Sequence, residues 1–214
     1  MKRTVLVTGG TTRLGKVIAD ELRRLGWRVF TSSHRTDSGA DVVADLAAPH
    51  GADALFAAVC ALNGGVPPDA LVNNAALFTG SDELLRRVNY ESPRRLTDLM
   101  SARREGIGCV VNILDCRVLN GRISEDSETA YSAAKRDLLR ETNQAAVRYA
   151  ASLRVNAVAP GPVMIPVAVH EKAGHTPFGR PTPSRVAEAV AYLLAAESTS
   201  GCIIPVDGGQ SLTR

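Results

Sequence analysis

No stretch of this 214-residue chain is apolar for long enough to cross a membrane, and no run of basic residues offers nucleic acid a surface. The formal charge is only +3, and the arginines are spread along the chain rather than gathered. Neither a membrane nor nucleic acid is expected as a partner. Cysteine is also sparse: Cys60, Cys109, Cys116 and Cys202 lie far apart, with neither metal-type pairing nor the crowding of a secreted disulfide framework. They are read as reduced thiols, and no metal site is expected. The N-terminus passes from Met1 through two basic residues into TVLVTGG, an apolar piece too short for a signal peptide, so the expected location is the cytoplasm. Internal repeats, low-complexity tracts and linkers are missing as well. What is present, 45% hydrophobic and 22% charged residues, is the make-up of one globular domain spanning 1–214.

Short β-branched runs alternate with longer amphipathic stretches, the pattern of parallel strands joined by helical crossovers. Strands are expected at Val5–Thr8, Arg28–Ser32, Asp41–Ala44, Ala70–Asn73, Cys109–Leu114, Arg154–Ala157 and Cys202–Val206. The expected fold class is therefore α/β, a single-domain, doubly wound parallel sheet of about seven strands. Between Arg35 and Asp41 there is room for a turn only, although a parallel crossover normally needs a dozen or more residues. One crossover helix looks deleted. The Pro-rich piece from Pro160 to Pro183 reads as a loop over a site.

The first strand ends in TGGTTRLGKVIADEL, where Thr8, Gly9 and Gly10 turn sharply and Leu14 to Leu22 continue as a helix. Glycines let a backbone approach an anion closely, and a helix N-terminus offers free N–H groups and a positive dipole end. This is the physics of a pyrophosphate site in a Rossmann-type sheet. Arg13 stands where such loops often place a second glycine, and the second strand is followed by His34, Arg35 and Thr36. An acidic residue there would take a free ribose hydroxyl, whereas these cations suit a 2′-phosphate. The cofactor expected is NADPH; the alternative is that these are solvated loop cations.

Tyr131 and Lys135 sit one turn apart in a predicted helix and project to one face. A nearby cation favours phenolate and brings proton donation by tyrosine towards neutral pH.

TGGTTRLG, LVNNAA (Leu71 to Ala76), Asn89, Tyr131 with Lys135, PGPV (Pro160 to Val163) and PVDGG (Pro205 to Gly209) follow one another in the order of the short-chain dehydrogenase/reductase family, which the chain resembles along almost its whole length. The resemblance implies cofactor contacts at Gly9, Thr11, Arg13, Leu14, His34, Arg35, Thr36, Asp45, Leu46, Asn74, Ala75, Tyr131, Lys135, Pro160, Gly161 and Val163. It also implies that the Asn73–Asn74 segment supports the nicotinamide side, and that Asn89 holds a water in a proton relay through the lysine. A homo-oligomer, tetramer or dimer, is implied too.

Where most members carry a serine, the chain has Asp115. A carboxylate would repel the oxyanion that builds as a ketone is reduced, whereas a carbon–nitrogen double bond needs a proton on nitrogen, which an Asp–Tyr–Lys relay delivers. With Arg13 and the HR pair, this resembles the pteridine reductase and dihydromonapterin reductase branch. That likeness gives Phe78 the role of sandwiching a flat pterin against the nicotinamide, the alternative being a loop anchor on the core. Substrate contacts are then expected from Arg13, Phe78, Asp115 and Tyr131, with Asp115, Tyr131, Lys135 and Asn89 catalytic. Asp115 precedes Tyr131 by 16 positions, so the loop from Cys116 to Thr129 must bulge for them to meet. The reading is NADPH-dependent reduction of a dihydropterin. A carbonyl reductase and a non-catalytic NADPH-binding subunit are the alternatives.

Overall fold

The computed structural model describes residues 2–103, 106–121, 129–164 and 175–213. Residues 122–128 of the expected bulge and 165–174 of the Pro-rich loop lie outside them. Seven parallel strands run in the order β3-β2-β1-β4-β5-β6-β7. They are β1 (Thr4–Val7), β2 (Arg28–Ser33), β3 (Val42–Val43), β4 (Ala70–Asn73), β5 (Gly108–Ile113), β6 (Leu153–Pro160) and β7 (Ile203–Val206). The helices are α1 (Arg13–Arg24), α2 (Gly51–Leu62), α3 (Asp82–Arg86), α4 (Ser92–Met100), α5 (Ala130–Arg148) and α6 (Pro183–Ala195). The architecture is a single-domain Rossmann-type α/β fold.

Strand side chains alternate between faces, and here both faces are covered, which is why the strands read as continuous apolar runs. Val5 and Val7 join Ile18, Ala19 and Leu22 of α1 and Val186, Val190 and Leu193 of α6 in one core. Leu6, Leu71 and Val110 point the other way, onto Leu55 and Val59 of α2, Leu96 and Met100 of α4 and Ala145 of α5.

No helix joins β2 to β3. The connection manages with residues 34–41 because β3 pairs only with the last two residues of β2, Ser32 with Val42 and Ser33 with Val43, so the chain need not recross the sheet. The expected strand Asp41–Ala44 is correspondingly trimmed. Asp41 instead staples the short loop, its Oδ2 accepting from the Thr31 backbone N–H at 2.8 Å and the Thr31 hydroxyl at 2.7 Å. β6 outruns its expected end at Ala157 and reaches Pro160, since it is paired on both sides by β5 and β7. Among the described residues no helix is long and apolar enough to cross a membrane, and no group of three or more metal-ligating side chains gathers.

Candidate active site

In an open parallel sheet ligands bind beyond the carboxyl ends of the strands, where strand order reverses. That reversal falls between β1 and β4, whose connections leave in opposite directions. Thr8, after β1, ties the two loops there together. Its hydroxyl oxygen accepts from the backbone N–H groups of Asn74 at 2.9 Å and Ala75 at 3.0 Å, while Asn74 Nδ2 donates to the Thr8 carbonyl at 2.9 Å. Gly9 has φ +63°, a left-handed conformation favouring glycine. At Gly15 a Cβ would come within 2.2 Å of the Gly9 carbonyl oxygen, so only glycine lets α1 lie this close to the loop.

α1 starts without a side-chain cap on its free N–H groups and without an acidic residue in its first turn. Its positive end is left for an anion. Arg13 opens that helix, exposed and at φ 49°. A non-glycine residue held there costs about 1–2 kcal/mol, which fits the expectation of a glycine-like position taken by a cation.

Beyond β2, His34, Arg35 and Thr36 are all exposed. Arg35 forms a two-pronged pair with Asp37, Nε to Oδ1 at 3.0 Å and Nη2 to Oδ2 at 2.7 Å. The contact raises the arginine's pKa and lowers the aspartate's. Asp45 is exposed and accepts the Ala47 N–H at 2.9 Å. Leu46 buries its side chain in the core and offers its carbonyl to the Ser92 hydroxyl at 2.8 Å. The PGPV and PVDGG motifs meet: Gly161 N–H donates to Val206 at 3.0 Å, and a Cβ on Gly161 would touch Asp207 Cα at 2.7 Å. Pro160 ends β6, and Val163 packs partly on the core. Thr11 and Leu14 flank the Gly-rich loop, half-buried.

Thr129 caps α5, its hydroxyl oxygen accepting the Ser132 N–H at 3.2 Å, which fixes Tyr131 in the first turn. The Tyr131 hydroxyl donates to Asp115 Oδ2 at 3.3 Å, so the longer intervening loop does allow them to meet. Lys135 lies one turn on, 2% exposed, with Nζ 5.9 Å from the Tyr131 ring centroid and donating to the Ile113 carbonyl at 2.7 Å. Burial pulls its pKa down to about 8, with the Asp115 charge opposing the shift.

Three contacts were not expected from the sequence. Phe78 stacks on Tyr131 itself, ring centroids 4.8 Å apart, and remains 48% exposed. Asn89 commits its side chain to the backbone: Nδ2 donates to Leu77 at 2.8 Å and Leu85 at 2.9 Å, while Oδ1 accepts the Leu77 N–H at 3.2 Å. It shapes the turn carrying Phe78. The carboxylate of Asp115 is not alone, because Arg117 grips it from two nitrogens. Arg117 was missed, as was the stapling by Thr8. The only signal was the DCR triplet, whose spacing in a loop does not dictate contact.

Cys109 and Cys116 are buried thiols, their pKa values pushed up by burial to about 11 and about 12. Neither is a reactive nucleophile.

A phenol and a buried ammonium at the carboxyl ends of a Rossmann-type sheet are the equipment of an oxidoreductase. Residues 11–211 match the family described as enoyl-(acyl carrier protein) reductase, and the chain belongs to the short-chain dehydrogenase/reductase family. It is 32% identical over 239 residues to an uncharacterized oxidoreductase of Schizosaccharomyces pombe, an alignment covering 97% of this chain and 90% of that one. It is 40% identical over 115 residues to a cis-4-hydroxycyclohexanecarboxylate dehydrogenase of Sinomonas cyclohexanicum, covering 49% and 45%. Among solved structures, an alternative dihydrofolate reductase (FolM) of Brucella suis in complex with NADP superimposes with a TM-score of 0.83 at 28% identity, covering 99% of this chain and 96% of that one.

Proposed function

We propose that this oxidoreductase uses NADPH to reduce a carbon–nitrogen double bond in a pterin-like ring, taking a dihydropterin to the tetrahydro level. The observation that carries the reading is the Tyr131 hydroxyl held on Asp115, with Phe78 stacked over the phenol and Lys135 buried behind it. The residues fit the cofactor: the uncapped start of α1 and the Gly9 turn suit a pyrophosphate, and Arg35 and Arg13 suit a 2′-phosphate. The likeness to a structure in complex with NADP supports the same choice.

Bound NADPH supplies the hydride. The phenol of Tyr131 gives its proton to the ring nitrogen beside the carbon that is reduced. Lys135 stabilises the phenolate that remains and holds the ribose. Phe78 is the aromatic face for a flat ring; it leaves Tyr131 and stacks on the substrate instead. We read the protein as a cytoplasmic homo-oligomer, tetramer or dimer; apolar Val147, 80% exposed on α5, supports such packing.

A second reading, reduction of a ketone or aldehyde, is favoured by one observation. Arg117 offsets the Asp115 charge that would repel a developing oxyanion. The test is NADPH oxidation on 7,8-dihydropterin and on a simple ketone by the unmodified protein, Asp115→Ser and Phe78→Ala. Dihydropterin turnover falls at least about tenfold in Asp115→Ser. In Phe78→Ala its KM rises about three- to tenfold, the equivalent of one aromatic stack. Ketone turnover that survives both changes, with none on dihydropterin, refutes the pterin reading.

A further inference from the structure

Arg117 lies two residues beyond Asp115, in the 3₁₀ turns of Cys116–Gly121. Its Nε donates to Oδ1 at 3.0 Å and its Nη2 to Oδ2 at 2.9 Å, while its backbone N–H reaches Oδ1 at 2.9 Å. Oδ2 is also the oxygen that accepts the Tyr131 hydroxyl at 3.3 Å. The guanidinium and the phenol therefore share one acceptor, and the guanidinium carbon lies 5.7 Å from the Tyr131 ring centroid. The backbone N–H of Arg117, together with that of Val118, which donates to the Asp115 carbonyl at 3.2 Å, already closes the turn on Asp115. The Asp115 side chain is 15% exposed and that of Arg117 33%, so the pair works away from the full screening of bulk water.

We propose that Arg117 is a positioning residue of the active site, which sets the acidity of Tyr131 by offsetting the charge of Asp115 and aiming Oδ2 at the phenol. A carboxylate this close to a phenol opposes its ionisation and competes with substrate for the proton. Paired with a guanidinium, it orients the hydroxyl while presenting little net charge. In the transfer, the Tyr131 O–H bond breaks and an N–H bond forms on the substrate. The phenolate left behind faces a neutral pair on one side and Lys135 on the other. Asp115 neither gains nor loses a proton, and no electrons pass through the pair. Among the described residues, the other titratable groups around this cluster include the Cys116 thiol and Asp207, whose charge reaches Cys116 from beyond β7.

The proposal rests on Tyr131 being the proton donor, so its test reads the phenol directly. Phenolate absorbance is titrated for the unmodified protein, Arg117→Gln, Arg117→Lys, Asp115→Asn and the double variant Asp115→Asn/Arg117→Gln, each against its Tyr131→Phe counterpart. Arg117→Gln raises the Tyr131 midpoint by about one pH unit and lowers reductase kcat near pH 7 about tenfold. Arg117→Lys keeps the charge and recovers most of the midpoint shift. In the Asp115→Asn background, Arg117→Gln shifts the midpoint clearly less, because only the guanidinium's direct pull on the phenolate is lost and no carboxylate is left to offset or aim. NADPH affinity stays unchanged. An unmoved midpoint in Arg117→Gln, or an equal shift in the Asp115→Asn background, overturns the proposal. Should Arg117→Gln fail to fold, the two Asp115→Asn proteins and Arg117→Lys decide between the outcomes. Turnover that survives Tyr131→Phe sinks the donor reading separately, leaving the titration to judge Arg117.

Discussion

Two carboxylate–guanidinium pairs, Arg35 with Asp37 and Asp115 with Arg117, join residues two apart and share almost one geometry, each two-pronged with a 3.0 Å Nε–Oδ1 contact. Their surroundings separate them. The first stands in solvent on the short β2–β3 loop, its side chains 60% and 67% exposed. The second is largely enclosed, beside a phenol and a fully buried ammonium. A surface pair of this kind contributes little to stability and is screened by salt. The first pair is therefore free to open, towards a phosphate in the function we propose, whereas the second belongs, in the same proposal, to the electrostatic frame in which a proton moves. Hydrogen-bond geometry alone does not say which pair matters to chemistry; enclosure does.

The sharpest way to press this comparison is at Lys135, where enclosure is complete. Lys135→Met lowers turnover at least about 100-fold by removing the ammonium facing the phenol. It should also stabilise the cofactor-free protein at pH 7. The folded pKa of about 8 lies below the ordinary 10.5, so the buried charge costs stability below pH 8, and the cost is relieved as pH rises towards 10.5. The expected gain is about 1–3 kcal/mol at pH 7, tempered by the Ile113 carbonyl losing its donor, and it shrinks towards pH 10.5. Denaturant melts of both proteins across that range check it. A gain that grows with pH would contradict the burial argument.

At the exposed pair the effects are smaller. Arg35→Ala weakens NADPH binding about three- to tenfold while leaving NADH nearly untouched, and the difference fades in 1 M salt. Asp37→Asn moves affinity the other way, tightening NADPH about two- to threefold by freeing the guanidinium. Cofactor titrations at low and high salt read both. Equal binding of NADPH and NADH by the unmodified protein would remove the phosphate role from this loop.

The sheet was legible because short β-branched runs such as TVLV in β1 and VVNI in β5 are what strands buried on both faces require. The lost crossover was legible as a shortage of residues, but not its remedy: β3 shortened to Val42–Val43, held by the Asp41 staple on Thr31. Helix spacing let Tyr131 and Lys135 be paired from the sequence, since residues one turn apart must share a face. Spacing within a loop carries no such rule. The grip of Arg117 on Asp115 depends on the 3₁₀ turn between them, and the fold of Phe78 onto Tyr131 depends on Asn89 tying the Leu77 turn.

The central claim is that NADPH-dependent reduction here draws its proton from Tyr131. It is tested most directly by single-turnover NADPH oxidation with 7,8-dihydropterin in the unmodified protein and in Tyr131→Phe, alongside NADPH affinity for both. The account predicts unchanged affinity and a rate lowered about 100- to 10,000-fold. A Tyr131→Phe rate within a few-fold of the unmodified protein would contradict it.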